Sequence, residues 1–281
     1  MVSLPSKVDH FQDFFEPVLS RYGYEGYFVP KTKGFDRIAE TEGQAIFVWT
    51  ERFRVQQAIC WTSIDLRSGK WRKHTNKWKN QIQPSASRFQ IVYGREKALE
   101  MMPQVALGLF LQSKESHQGI LATCMHLKSK PAELPEGMKE AELKKVQCQY
   151  FLTSVIDASN MWAPNMPVLC AGDFNIHPTK HTTEAEAFEG FAEAIQEAFL
   201  VDTYASGPER LPRNNSETVV DFILASSVNL ERVKSILEVV LSEPKPKPEN
   251  YPSDHLIRAA ELSIGSVQGQ TLNRSPTRRS K

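Results

Sequence analysis

Apolar positions recur at helical spacing near the start of the chain and at strand spacing soon after. Phe11, Phe14, Phe15, Val18, Leu19 and Tyr22 share one helical face. This predicts an amphipathic helix over 9–22 despite Pro17, with its aromatic face in the core and Gly23 as its stop. Runs rich in Val, Ile, Phe and Trp then predict strands at Tyr24 to Val29, Ala45 to Thr50, Phe53 to Trp61, Val105 to Gln112 and Ile120 to Met125. Beyond them Glu136 to Ser159 reads as a helix and Val168 to Ala171 as a buried strand. Thr183 to Phe199 reads as a second helix, with Phe188, Phe191, Ala192, Ile195 and Phe199 on one face. Val219 to Leu224, Ile236 to Leu241 and Leu256 to Leu262 complete the strands. This order of elements predicts an α+β or layered α/β/β/α domain without internal repeats.

Composition narrows the class. With 281 residues, 41% of them hydrophobic, the chain can bury a sizeable core, and a formal charge of +1 leaves any anionic partner to be met by a local patch. Cys60, Cys124, Cys148 and Cys170 form no CxxC pair and read as buried free thiols of a reducing compartment. No run approaches the roughly 20 apolar residues of a membrane span, and no signal-peptide pattern opens the chain. The expected location is therefore the cytoplasm, or else the nucleus. Two segments stand apart in composition. Arg67 to Lys79 holds six Lys/Arg and two Trp, which could meet a nucleic-acid backbone while Trp71 and Trp78 stack on bases, or could form a solvated loop with its rings folded inward. Residues 265–281 carry four basic residues and no acid and read as a disordered basic tail behind a domain spanning 1–264.

Three strand ends carry ionisable groups. The apolar strand Val168 to Ala171 runs into Gly172, Asp173, Phe174 and Asn175. Side chains two apart on a strand point the same way, so Asp173 can bind a hard cation while Asn175 holds a phosphate oxygen or water; an Asx turn opening a loop is the alternative. Asp254 and His255 precede the strand from Leu256, and Asp221, costly to bury unpaired, could orient that histidine. His126, Lys128 and Lys130 follow the strand ending at Met125, where His126 could donate to a phosphate and the lysines could hold another.

Taken in order, His126-Leu127-Lys128, Gly172-Asp173-Phe174-Asn175, Asp221 in its Val-Asp-Phe-Ile setting and Ser253-Asp254-His255 resemble the exonuclease-endonuclease-phosphatase superfamily. Within it they resemble the nocturnin-like cytoplasmic deadenylases. The resemblance runs from about Val8 to about Ser263 and includes Val8-Asp9-His10-Phe11, Phe28-Val29-Pro30-Lys31, Glu42-Gly43-Gln44-Ala45-Ile46-Phe47 and Asn250-Tyr251-Pro252. It implies a four-layered α/β/β/α sandwich with a Mg²⁺ site at the sheet ends. Asp173, Asn175 and Asp254 are the implied metal and phosphate ligands. His255 is the implied catalytic histidine, Asp221 its orienter, and His126 a phosphate contact. Lys31, Lys128 and Lys130 match basic positions facing substrate phosphates. Lys130 stands where an Arg is usual; a lysine there carries the same charge but cannot grip a phosphate with two parallel hydrogen bonds.

The chain also departs from that pattern. Ser6 and Lys7 stand in the register of a Gln and a metal-binding Glu, so the resemblance implies a domain lacking the family's first strands and one carboxylate of the metal site. The expected activity is hydrolysis of a phosphoester, most simply from the 3′ end of poly(A) RNA, with the 2′-phosphate of NADP(H) as the alternative substrate. A catalytically silent module that binds nucleotide or RNA is the reading from a different class.

Overall fold

The computed structural model describes residues 10–30, 43–62, 89–93, 105–127, 139–176, 182–203, 221–226, 230–234 and 261–264. Strands β1 (Tyr24–Pro30) and β2 (Gly43–Trp49) form an antiparallel pair. The main sheet has seven strands: β3 (Phe53–Thr62), β4 (Phe89–Tyr93), β5 (Val105–Ser113), β6 (Gly119–His126), β7 (Val168–Asp173), β8 (Leu200–Asp202) and β9 (Asp221–Ser226). Their order across the sheet is β4-β3-β5-β6-β7-β9-β8. A second antiparallel pair joins β10 (Leu230–Lys234) to β11 (Glu261–Ile264).

The middle of the main sheet is covered on both faces, which explains the unbroken apolar run of β5, buried from Val105 to Leu111. On one face α2 (Glu140–Trp162) and α3 (Thr182–Glu197) lay Phe151, Leu152, Val155 and Phe191 onto Met125, Cys170 and Leu224. Full burial of each such side chain contributes ~1.5–3 kcal/mol. On the other face Tyr27, Val29 and Val48 of the small sheet pack on Leu107, Leu109 and Ile120. Outside the small sheet lies a π-helical turn, His10–Phe15, continued by α1 (Glu16–Ser20), with Phe11 stacked on Phe28 at 5.0 Å and on Phe47 at 5.6 Å. The layers are therefore helix, sheet, sheet and helix, as the element order predicts.

The first helix corrects its expectation. Phe11 is buried, but Phe14 is 57% exposed and Tyr22 71% exposed, and Phe15 and Val18 are exposed as well. Pro17 carries no N–H to give to the previous turn, the hydrogen-bond pattern widens to a π-turn before it, and the aromatic stripe slips off the core-facing side. Phe11 remains wedged against the sheet, and Phe15, though exposed, keeps a tilted ring contact with Phe47 at 6.3 Å. The strand at Ile236 to Leu241, the segment 67–79 and the tail 265–281 lie outside the described residues.

The four cysteines are unpaired, three of them buried. Burial pushes the Cys60 and Cys170 thiols up to about 12 and that of Cys124 to about 11, and raises Cys148 as well. The unfolded chain releases thiol protons from about pH 8.5 upward while the folded chain retains them. These groups thus leave stability untouched below that pH and erode it as pH rises toward 12. At pH 8 a disulfide-exchange reagent should leave Cys60, Cys148 and Cys170 unlabelled in the native protein and should label them on unfolding. Rapid native labelling of Cys60 would contradict the closed core.

Candidate active site

Strand β6 reaches β7 through α2, so the two run parallel and their C-terminal ends lie side by side. Strand β9 returns antiparallel to β7 and brings its first residue to the same edge. The register sets His126 beside Asp173 and Asp173 beside Asp221, a transverse row drawn from three strands. Side chains alternate along each strand, and Leu121, Met125, Val168, Cys170, Phe222 and Leu224 point to the α2–α3 side. His126, Asp173 and Asp221 therefore lie on the opposite face, toward the small sheet, where β6 and β7 end. Two strand ends and an aspartate set within an apolar run, separate in the sequence, are brought into one row by register.

Asp173 is the centre of the row. Its Oδ2 lies 3.5 Å from His126 Nε2, with the histidine side chain 40% exposed and the carboxylate 16% exposed. Its Oδ1 accepts the Asn175 backbone N–H at 2.8 Å, an Asx turn, and its carbonyl accepts the Leu127 N–H at 2.8 Å. Strand β7 ends at Asp173, so Asn175 does not share its side by strand alternation as expected from the sequence. Instead Asn175 takes a left-handed backbone (φ 51°) and turns back, its Nδ2 donating to the Leu127 carbonyl at 2.7 Å. Asparagine adopts that conformation more readily than most residues. Phe174 and Ile176, both buried, pin the turn from either side, Phe174 against Phe191 and Phe222.

Two further residues shape the site: Gly172, which stands in the Gly-Asp-Phe-Asn motif with no role assigned to it from the sequence, and Lys144, which no motif includes. Gly172 has φ 151°, and a Cβ there would lie 1.8 Å from the Met125 carbonyl oxygen, so only glycine lets β6 and β7 close beside the row. Lys144 of α2, buried, donates from Nζ to the Asn175 carbonyl at 3.0 Å and pairs with Glu140 at 3.0 Å. Its sequence signal is a lysine on the apolar face of a helix with an acid four residues before it.

The structure thus brings His126, Asp173, Asn175 and Asp221 together, while Asp254, His255, Lys31, Lys128 and Lys130 lie outside the described residues. The donors present are carboxylate and carboxamide oxygens, the chemistry that suits a hard divalent cation such as Mg²⁺. Among the described residues no group of three His, Cys, Asp or Glu side chains is gathered closely enough to hold a metal ion. The described donors match Mg²⁺ in kind.

No protein-family model matches the chain. Its fold is that of the endonuclease/exonuclease/phosphatase proteins: a member from Bacteroides vulgatus superimposes with a TM-score of 0.57 at 15% identity, covering 91% of this chain and 81% of that one. In sequence the chain is similar to human nocturnin, 26% identical over 279 residues, covering 92% of this chain and 53% of nocturnin. The human nocturnin catalytic domain, solved with a bound sulfate anion, superimposes with a TM-score of 0.60 at 22% identity, covering 92% of this chain and 78% of that domain. The Ccr4 3′-5′-exoribonuclease subunit of the CCR4-Not complex from Candida albicans is 27% identical over 177 residues, 59% of this chain and 20% of Ccr4. The chain spans about half the length of the nocturnins it matches. Among the described residues no helix is long and apolar enough to cross a membrane.

Proposed function

We propose that the chain is a Mg²⁺-dependent phosphoester hydrolase that shortens poly(A) RNA from its 3′ end. The observation that carries this reading is the row His126–Asp173–Asp221 at the shared edge of β6, β7 and β9, with Asn175 folded back beside it. Similarity to nocturnin and to an exoribonuclease subunit supports a nuclease or phosphatase chemistry. The metal would be held by Asp173, Asn175 and Asp254, and when bound it supplies charge neutralisation at the scissile phosphate. His126 is assigned to donate to a phosphate oxygen as negative charge develops there. His255, oriented by Asp221, is assigned the acid–base step, and Lys31, Lys128 and Lys130 the neighbouring phosphates. The basic, Trp-bearing segment at 67–79 supports RNA over a dinucleotide.

A module that binds RNA or nucleotide without cleaving it is the second reading, favoured by Ser6 and Lys7 in the register of the family's Gln and Glu. One assay separates the readings: the whole chain with Mg²⁺ on a poly(A) oligonucleotide and on NADPH, each repeated with EDTA. The expected result is stepwise 3′ shortening of poly(A) that EDTA abolishes. Phosphate release from NADPH alone would replace the nuclease by a 2′-phosphatase. Binding of poly(A) without turnover of either substrate would select the silent module.

A further inference from the structure

We infer that Lys144 is a positioning residue of the candidate active site, holding Asn175 in its folded-back conformation from the helix layer behind the sheet. The inference rests on the hydrolase reading for its kinetic consequence only; its structural part stands on the contacts themselves.

Lysine is seldom buried, because an ammonium removed from water is costly unless it is paired. Here the burial has an evident compensation on both sides. Glu140, one turn earlier on α2, sits 3.0 Å from Nζ and is 43% exposed, so it keeps part of its own hydration while countering the charge. The Asn175 carbonyl, 3.0 Å from the same Nζ, accepts a charge-assisted hydrogen bond. Asn175 in turn commits its Nδ2 to the Leu127 carbonyl and its backbone N–H to Asp173. The turn is tied at its backbone N–H, its side chain and its carbonyl, and Lys144 is the tie that reaches it from another layer of the fold.

That arrangement matters because Asn175, of the four residues brought together, is the one outside a strand. His126, Asp173 and Asp221 are set by ladder register. A non-glycine residue at φ 51° relaxes toward the right-handed or extended regions unless its surroundings prevent it. Release of the carbonyl would let the turn sample those regions, and with them the Asp173 carboxylate that accepts its N–H. A displacement of about 1 Å can cost on the order of 10²-fold in rate.

The test uses the whole chain labelled with ¹⁵N-asparagine and compares Lys144→Met with Lys144→Arg. Methionine keeps the unbranched apolar stem and removes the donor, whereas arginine can still donate to a carbonyl and pair with Glu140. In Lys144→Met the Asn175 amide should exchange with solvent at least about tenfold faster than in wild type, while amides of β5 should not change. Lys144→Arg should restore most of the protection. On poly(A) with Mg²⁺, Lys144→Met should lower kcat about tenfold or more with KM changed little, because the loss is one of placement. Equal Asn175 exchange in wild type and Lys144→Met would overturn the inference. So would a fall in kcat that Lys144→Arg does not relieve in any degree. Should wild type turn over neither poly(A) nor NADPH, the hydrolase reading fails while the exchange comparison still decides the role of Lys144. Should Lys144→Met fail to fold, Glu140→Ala takes its place: freeing the ammonium from its partner should loosen Asn175 partway, and unchanged exchange there would also overturn the inference.

Discussion

Asp173→Asn is expected to lower turnover on the active substrate by on the order of 10²-fold to 10³-fold while leaving the melting temperature unchanged or raised. The carboxamide keeps the shape of the carboxylate and an oxygen that can accept the Asn175 N–H, so the Asx turn survives. What disappears is a negative charge at the centre of the row, and with it the strongest oxygen donor for a cation. Asp221 lies directly across the ladder from Asp173, and like charges in that relation are destabilising. Removing one of them gives back part of that cost, although the contact of Asp173 with His126 works in the other direction. Steady-state kinetics with a Mg²⁺ titration, alongside a thermal melt, reads both quantities. Turnover within threefold of wild type at saturating metal would remove Asp173 from the reaction.

Gly172→Ala should damage the fold itself, by about 3–5 kcal/mol or more. The new methyl would meet the Met125 carbonyl oxygen at 1.8 Å, less than bonded neighbours two atoms apart, and that oxygen belongs to the backbone of the adjacent strand. No rotamer change relieves such a collision. Strands β6 and β7 must separate, or β7 must abandon the φ of 151° that alanine in any case resists. Against a total stability of about 5–15 kcal/mol this is a large fraction. A melting temperature lowered by about 6 °C or more is expected, given roughly 2–4 °C per kcal/mol for a domain of this class. A melt within 3 °C of wild type would show that the strand pair is looser than its geometry implies.

The sequence is informative about strands whose burial on both faces forces a run of apolar residues, as in Val105 to Leu111, and about part of the apolar stripe of α3, where Phe191 is buried but Phe199 lies past the helix end and is 69% exposed. It is nearly silent on β4, β8 and β10. Leu230-Glu-Arg-Val-Lys234 has the composition of a solvated helix as much as of a strand, and Leu200–Asp202 is three residues long. The pairing partner makes these segments strands, and pairing is not a local property. The same distinction runs through the candidate site. His126 and Asp173 stand out singly because they end apolar runs, and Asp221 because a carboxylate interrupts one. Their alignment depends on register, which no segment contains by itself. Counting alternation along a strand puts Asn175 on the side of Asp173, but the chain leaves the strand before reaching it. Lys144 belongs to a helix whose apolar pattern gives no cue that a cation on it serves a loop.

The row of three residues has a temporal side. His126, Asp173 and Asp221 come from β6, β7 and β9, and the joining of β6 to β7 waits on a whole helical crossover. During synthesis the hairpin of β5 and β6 can form from neighbouring residues, whereas the row cannot exist until residue 226 has left the ribosome. A nascent chain therefore presents a lone histidine, then a histidine and one aspartate, and only late the assembled set. An unfinished copy holds no completed row.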